Sequence, residues 1–133
     1  MTRYLLDTNI ISDLVSQPQG RVARRIAQIG DRQILTSAIV AAELRYGCRN
    51  AGSVRRSATI EAMLFEIETI PFDEAASRAY ADLRTALEVK GQPIAGNDML
   101  IAAQALALGC VMVTANTDEL ARIDGLRVEN WLG

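Results

Sequence analysis

The chain has 133 residues, half of them hydrophobic and 23% charged, with a net charge of −2 and no histidine. That length fits one globular domain, residues 1–133, with room for a sizeable core. The lack of histidine excludes a Ser-His-Asp triad and imidazole acid–base chemistry, and the acidic balance (pI near 5.1) argues against indiscriminate binding to nucleic acid.

Arg3–Asp7 reads as a first strand around the apolar run Tyr4-Leu5-Leu6. Ile10–Val15 follows as a short helix, and Gly20–Ile29 as a second, with Val22, Ile26 and Ile29 on one stripe. A strand at Ile34–Thr36 leads to Ser37, which can cap a helix running to about Arg49. Val54–Glu66 predicts another helix and Ile67–Ile70 a third strand. Asp73–Lys90 is expected to be helical, closed by Gly91 and then Pro93. Asn97–Leu108, alanine-rich and apolar nearly all round, predicts a buried helix ending at Gly109. Val111–Thr114 and Arg127–Glu129 supply two last strands, and the only place left for a hairpin is this end of the chain.

Strands separated by helices imply an α/β fold with a mainly parallel sheet and helices on both faces. In such folds the working site lies outside the carboxyl ends of the strands, near a reversal of strand order. No apolar run approaches the roughly 20 residues of a membrane span. Asp7 comes too early for a signal peptide, so a cytoplasmic location is expected. Cys48 and Cys110 are isolated in apolar surroundings and are expected to be reduced core residues rather than zinc ligands.

Acids recur where that sheet would gather them. Asp7 ends the first strand; Thr8, Asn9 and Ser12 already offer capping groups for the next helix, which leaves Asp7 surplus to that role. Glu43 has Ile39, Val40, Tyr46 and Gly47 three and four residues away, an apolar face on which a lone carboxylate is costly. A buried arginine or a metal would relieve it. Asp98 lies in the first turn of its helix, where the backbone dipole alone favours an acid. Thr114 and Asn116 follow the fourth strand and can orient a water or a ligand, and Asp118 and Glu119 stand close behind, either capping a short helical turn before Leu120 or reaching the site. Oxygen ligands from separate elements suit Mg²⁺ or Mn²⁺, which points to metal-dependent phosphoryl chemistry. Arg21, Arg24 and Arg25 form one basic stretch, and Arg45, Arg49, Arg55 and Arg56 another. Each is either a solvated helix face or a contact for phosphates or an acidic protein.

The run Leu5-Leu6-Asp7-Thr8-Asn9-Ile10-Ile11-Ser12 resembles the first motif of PIN-domain ribonucleases, specifically the VapC-type toxins of bacterial toxin–antitoxin pairs. Thr36-Ser37 leading to Glu43-Leu44-Arg45-Tyr46-Gly47 resembles the second motif, and Gly91-Gln92-Pro93-Ile94 with Asn97-Asp98-Met99-Leu100-Ile101-Ala102-Ala103 the third. Val113-Thr114-Ala115-Asn116-Thr117 through Leu126, then Glu129-Asn130-Trp131, is similar to the family's C-terminal block. The resemblance covers nearly the whole chain, in order.

It implies a three-layer α/β/α domain in which Asp7, Glu43 and Asp98 surround Mg²⁺ or Mn²⁺, with Thr8 and Asn9 beside them. The family often carries a fourth acid where this chain has Asn116, so that corner falls to Asn116 with Glu119 or Asp118. The implied activity is endonucleolytic RNA cleavage leaving a 5′-phosphate and a 3′-hydroxyl, with variants carrying Gly-Gln-Pro-Ile resembling toxins that cut initiator tRNA in the anticodon loop. Implied partners are a cognate VapB-type antitoxin and a second toxin copy, with Arg45, Arg49, Arg55 and Arg56 as contacts for RNA or antitoxin. The residues also admit two rival readings. A catalytically silent PIN-fold binding module draws support from Asn116. A receiver-like phosphoacceptor domain would want adjacent acids after the first strand and a lysine after the last, and no lysine follows Lys90.

Overall fold

Short apolar runs and longer amphipathic stretches alternate along the chain, and each finds its element in the computed structural model, which describes residues 1–133. The strands are β1 (Tyr4–Leu6), β2 (Ile34–Ser37), β3 (Glu68–Ile70), β4 (Val111–Val113) and β5 (Val128–Glu129). The helices are α1 (Thr8–Ser16), α2 (Arg21–Ile29), α3 (Ala38–Ala51), α4 (Val54–Glu66), α5 (Glu74–Lys90), α6 (Gly96–Leu108) and α7 (Thr117–Leu120). The sheet runs β3-β2-β1-β4-β5 with every pair parallel, so the hairpin allowed for at the C-terminus does not form. The short helix α7 intervenes, and β5 enters in the same direction as β4. Together the elements give the three-layer α/β/α arrangement expected.

The middle of the sheet is the driest part. Leu5 and Leu6 of β1 and all three residues of β4 are fully buried, as are Ile101, Ala102, Ala103 and Ala105 of α6. Strands buried on both faces read as unbroken apolar runs, which is why β1 and β4 lack polar alternation. Cys48 and Cys110 are buried free thiols in this core, and burial pushes the Cys110 thiol up. Gly91 (φ 66°) and Gly109 (φ 69°) end α5 and α6 in the left-handed region, where a side chain is disfavoured.

Strand order reverses beside β1, because the chain builds outward to β2 and β3 and then returns to place β4 on the other flank. The carboxyl ends of β1 and β4 therefore face a crevice of the kind that open α/β sheets use. Two element boundaries differ from expectation there. Helix α1 starts at Thr8 rather than Ile10, with Asp7 as its N-cap, and α6 starts at Gly96 rather than Asn97.

Candidate active site

Asp7 leaves β1 with only 3% of its surface exposed. Its Oδ1 accepts the Thr8 backbone N–H at 2.7 Å and its Oδ2 accepts the Thr114 hydroxyl at 2.8 Å. Capping was expected to fall to Thr8, Asn9 and Ser12; the structure corrects this, since Asp7 itself caps α1. An extended residue directly before the first helical turn is placed to do so, and Asp is a favoured cap. Asn9 instead accepts the Ala115 N–H at 3.0 Å and fastens the exit of β4 to α1. The Thr114 hydroxyl also accepts the Asn116 N–H at 3.1 Å, so one buried threonine links Asp7 to the turn that carries Asn116.

Glu43 projects from the second turn of α3 and is half-buried. Only half of the apolar face expected around it forms: Val40 is buried and Ile39 packs against the core. Tyr46 and Gly47 are exposed, and the buried stripe of α3 is Val40, Ala41, Leu44 and Cys48, with Glu43 at its border. No arginine meets it. Oε1 accepts the Thr8 hydroxyl at 2.6 Å and Oε2 accepts the Asn97 amide at 3.2 Å.

Asp98 sits in the first turn of α6, and its Oδ2 accepts the Asn116 side-chain amide at 3.2 Å. The same amide nitrogen donates to Glu119 Oε2 at 3.1 Å. Asn116 thus stands between two carboxylates, where a third acid would add to their repulsion. Of the two acids of α7, Glu119 reaches this cluster, while Asp118 is exposed.

The crevice gathers negative charge that the protein leaves uncompensated. Burial raises the Asp7 carboxyl above its ordinary value, bonds from Thr114 and Thr8 oppose the rise, and the charges of Asp98 and Glu43 add to it. Asp98 is raised likewise by burial, with the Asn116 bond opposing and Glu43 and Glu119 adding. None of the molecule's six ion pairs includes Asp7, Glu43, Asp98 or Glu119. As the side chains are placed, no three acids form a ready-made metal cage; each is turned onto neutral donors. The donor set itself, carboxylate and amide oxygens without nitrogen or sulfur, matches a hard cation such as Mg²⁺ or Mn²⁺.

The structure thus brings together Asp7, Thr8, Glu43, Asp98, Thr114, Asn116 and Glu119. The arginines fare differently. Arg45 is exposed and pairs with Glu61 through two bonds of 2.8 and 2.9 Å, whereas Arg49, Arg55 and Arg56 are exposed and stand in no ion pair. In the other basic stretch, Arg25 lies 3.8 Å from Glu129 and over the Trp131 ring, and Arg21 reaches the Leu132 carbonyl. One residue of this cluster is not singled out in the sequence. Asn97, which reads there only as the start of a helix and part of the third motif, holds Glu43.

The PIN-domain profile matches residues 4–126, most of the chain. This chain belongs to the PIN-domain family. It is 35% identical over 130 residues to ribonuclease VapC2 of Rickettsia felis, covering 96% of this chain and 97% of that protein. It is 31% identical to the tRNA(fMet)-specific endonuclease VapC of Shigella flexneri, covering 98% of this chain and 99% of the relative. Among solved structures, this PIN domain superposes on Rickettsia felis VapBC2 bound to a promoter DNA fragment with a TM-score of 0.91, at 33% identity. That match covers 98% of this chain and 99% of the other. DNA-bound VapBC of Salmonella typhimurium gives 0.90 at 30% identity, with the same coverage.

Proposed function

We propose that this PIN domain is the toxin of a VapBC-type pair and a divalent-cation-dependent endoribonuclease. The observation that carries the reading is the convergence of Asp7, Glu43, Asp98 and Glu119 at the carboxyl edge of the sheet with only neutral hydrogen-bond donors between them. Asp7, Glu43 and Asp98 would hold Mg²⁺ or Mn²⁺, with Glu119 as the fourth acid. When bound, such a cation supplies Lewis acidity, lowering the pKa of a water and offsetting charge on the scissile phosphate.

The chain's own groups set the geometry. Thr114 and the α1 N-terminus fix both oxygens of Asp7, Thr8 and Asn97 fix both oxygens of Glu43, and Asn116 braces Asp98 against Glu119. Asn116 in this place supports an intact fourth corner rather than a silent binding module, because its amide draws Glu119 in. Four carboxylates repel a phosphodiester, so the cation is needed for RNA to enter as well as for chemistry. The partner follows from the relatives, whose solved forms are toxin–antitoxin complexes. Initiator tRNA is the proposed substrate, supported by the relative named for tRNA(fMet) and by the Gly91-Gln92-Pro93-Ile94 loop that leads into α6.

Incubating the purified chain, free of antitoxin, with total tRNA and Mg²⁺ tests this. Cleavage with 5′-phosphate and 3′-hydroxyl ends is expected, lost on adding EDTA. Ends bearing a 2′,3′-cyclic phosphate, or equal cleavage by Asp7→Asn and Asp98→Asn, would contradict it.

A further inference from the structure

Helix α6 carries Asp98 in its first turn, and the rest of it is packed with small or apolar side chains: Ile101, Ala102, Ala103 and Ala105 are all fully buried. Packing of this kind places a helix by shape alone, whereas a hydrogen bond fixes one atom against another. One residue breaks the pattern. Gln104 is 2% exposed, and its amide donates to the Ile70 carbonyl at 3.2 Å and the Pro71 carbonyl at 3.0 Å, while its carbonyl oxygen accepts the Ser37 hydroxyl. Ser37 and Ile70 are register partners at the carboxyl ends of β2 and β3, so the side chain spans the last pair of that ladder. The Ser37 oxygen also accepts the Ile39 N–H and caps α3, the helix that bears Glu43.

Stability alone does not ask for an amide here. A buried carboxamide must recover its lost hydration through bonds of correct geometry, and an aliphatic side chain of similar size carries no such demand. What the amide adds is direction. We propose that Gln104 is a positioning residue: its bonds to Ser37, Ile70 and Pro71 fix the rotation and height of α6, and thereby hold Asp98 against Asn116 and in line with Glu43. Asp98 lies about 9 Å up the helix axis from Gln104. A slip of one residue would turn α6 by about 100° and shift it by about 1.5 Å, enough to break both the Asn116–Asp98 and Asn97–Glu43 contacts of 3.2 Å. The alignment is a property of the fold, and only its consequence for metal affinity rests on the proposed cation site.

Gln104→Met removes the amide and keeps the length; Gln104→Asn keeps an amide too short to span Ser37 and Ile70. The side-chain amide signals of Asn116, read by NMR in metal-free protein, are expected to shift in either variant. Mn²⁺ affinity is expected to fall about 10-fold while the melting transition stays cooperative. A folded variant whose Asn116 signals and Mn²⁺ affinity match the unmutated protein would overturn the proposal. So would loss of fold in both variants, because Gln104 would then serve folding rather than the placing of Asp98. If the unmutated protein binds no Mn²⁺, the cation reading fails by itself, and the Asn116 signals still decide this one.

Discussion

Carboxylates live two different lives in this molecule. On the surface, Glu61, Glu68, Glu74, Glu88, Asp124 and Glu129 each stand 2.6 to 3.8 Å from an arginine or lysine. In the crevice, Asp7, Glu43, Asp98 and Glu119 meet only threonine hydroxyls, asparagine amides and a backbone N–H. The contrast shows in proton affinity. Arg45 holds the Glu61 carboxyl below its ordinary value, whereas burial and like charge hold Asp7 and Asp98 above theirs. The fold pairs these six surface acids with its own cations and leaves the crevice acids repelling one another, an arrangement that a bound cation relieves.

Removing a crevice acid breaks the contrast most sharply. Asp98→Asn and Asp7→Asn are expected to lower RNA cleavage on the order of 100-fold or more, measured as kcat/KM on tRNA, while the fold persists. Asn remains a competent cap at position 7, whereas Asp7→Ala costs about 1 kcal/mol of stability through loss of the α1 cap, readable by urea unfolding. A smaller effect separates the two neighbouring acids of α7. Glu119→Gln is expected to lower cleavage about 10-fold and Asp118→Asn to leave it unchanged; the reverse order would assign the fourth corner to Asp118.

Stability against pH sharpens the comparison by sign. A carboxyl whose folded pKa is raised favours the folded state below its unfolded pKa, near 3.8 for Asp7, and loses that contribution as pH rises through the folded value. In metal-free protein the stability of Asp7→Asn relative to the unmutated chain should therefore climb across that window. Adding Mg²⁺ at neutral pH should stabilise the unmutated protein, by about 2.7 kcal/mol at a hundredfold excess over Kd. Glu61 runs the other way. Its folded pKa is lowered, so its contribution is present above 4.5 and is lost as pH falls through the folded value. Being an exposed pair, Glu61→Gln should move the melting temperature by less than about 2 °C at neutral pH, the smallest effect of the set.

The sheet, its helices and the gathering of Asp7, Glu43 and Asp98 at one edge were legible because they depend on local signals: apolar runs and acids at element ends. Two of the misreadings share one cause. Glu43 at the border of a buried stripe and Asn97 as a clamp are each set by which face of a helix meets the crevice, and that depends on packing between distant elements. Asp7 as cap is a local matter, missed because α1 starts two residues earlier than read. The buried stripe of α3 leaves Tyr46 outside because α3 packs against α1, α4, α6 and the sheet along Val40, Ala41, Leu44 and Cys48, a choice of face that periodicity alone does not encode. The Arg45–Glu61 pair was not legible for the same reason: Glu61 lies on α4, 16 residues on. Asn116, a weak corner when read as a missing acid, gained its role only once Asp98 and Glu119 stood on either side of it.

The central claim, that these acids act together on one cation, is tested most directly by titrating Mn²⁺ into metal-free protein and following free Mn²⁺ by electron paramagnetic resonance. The account predicts saturable binding by the unmutated chain, weakened at least tenfold in Asp98→Asn and untouched in the surface variant Glu74→Gln. Equal binding by the unmutated chain and Asp98→Asn would contradict it.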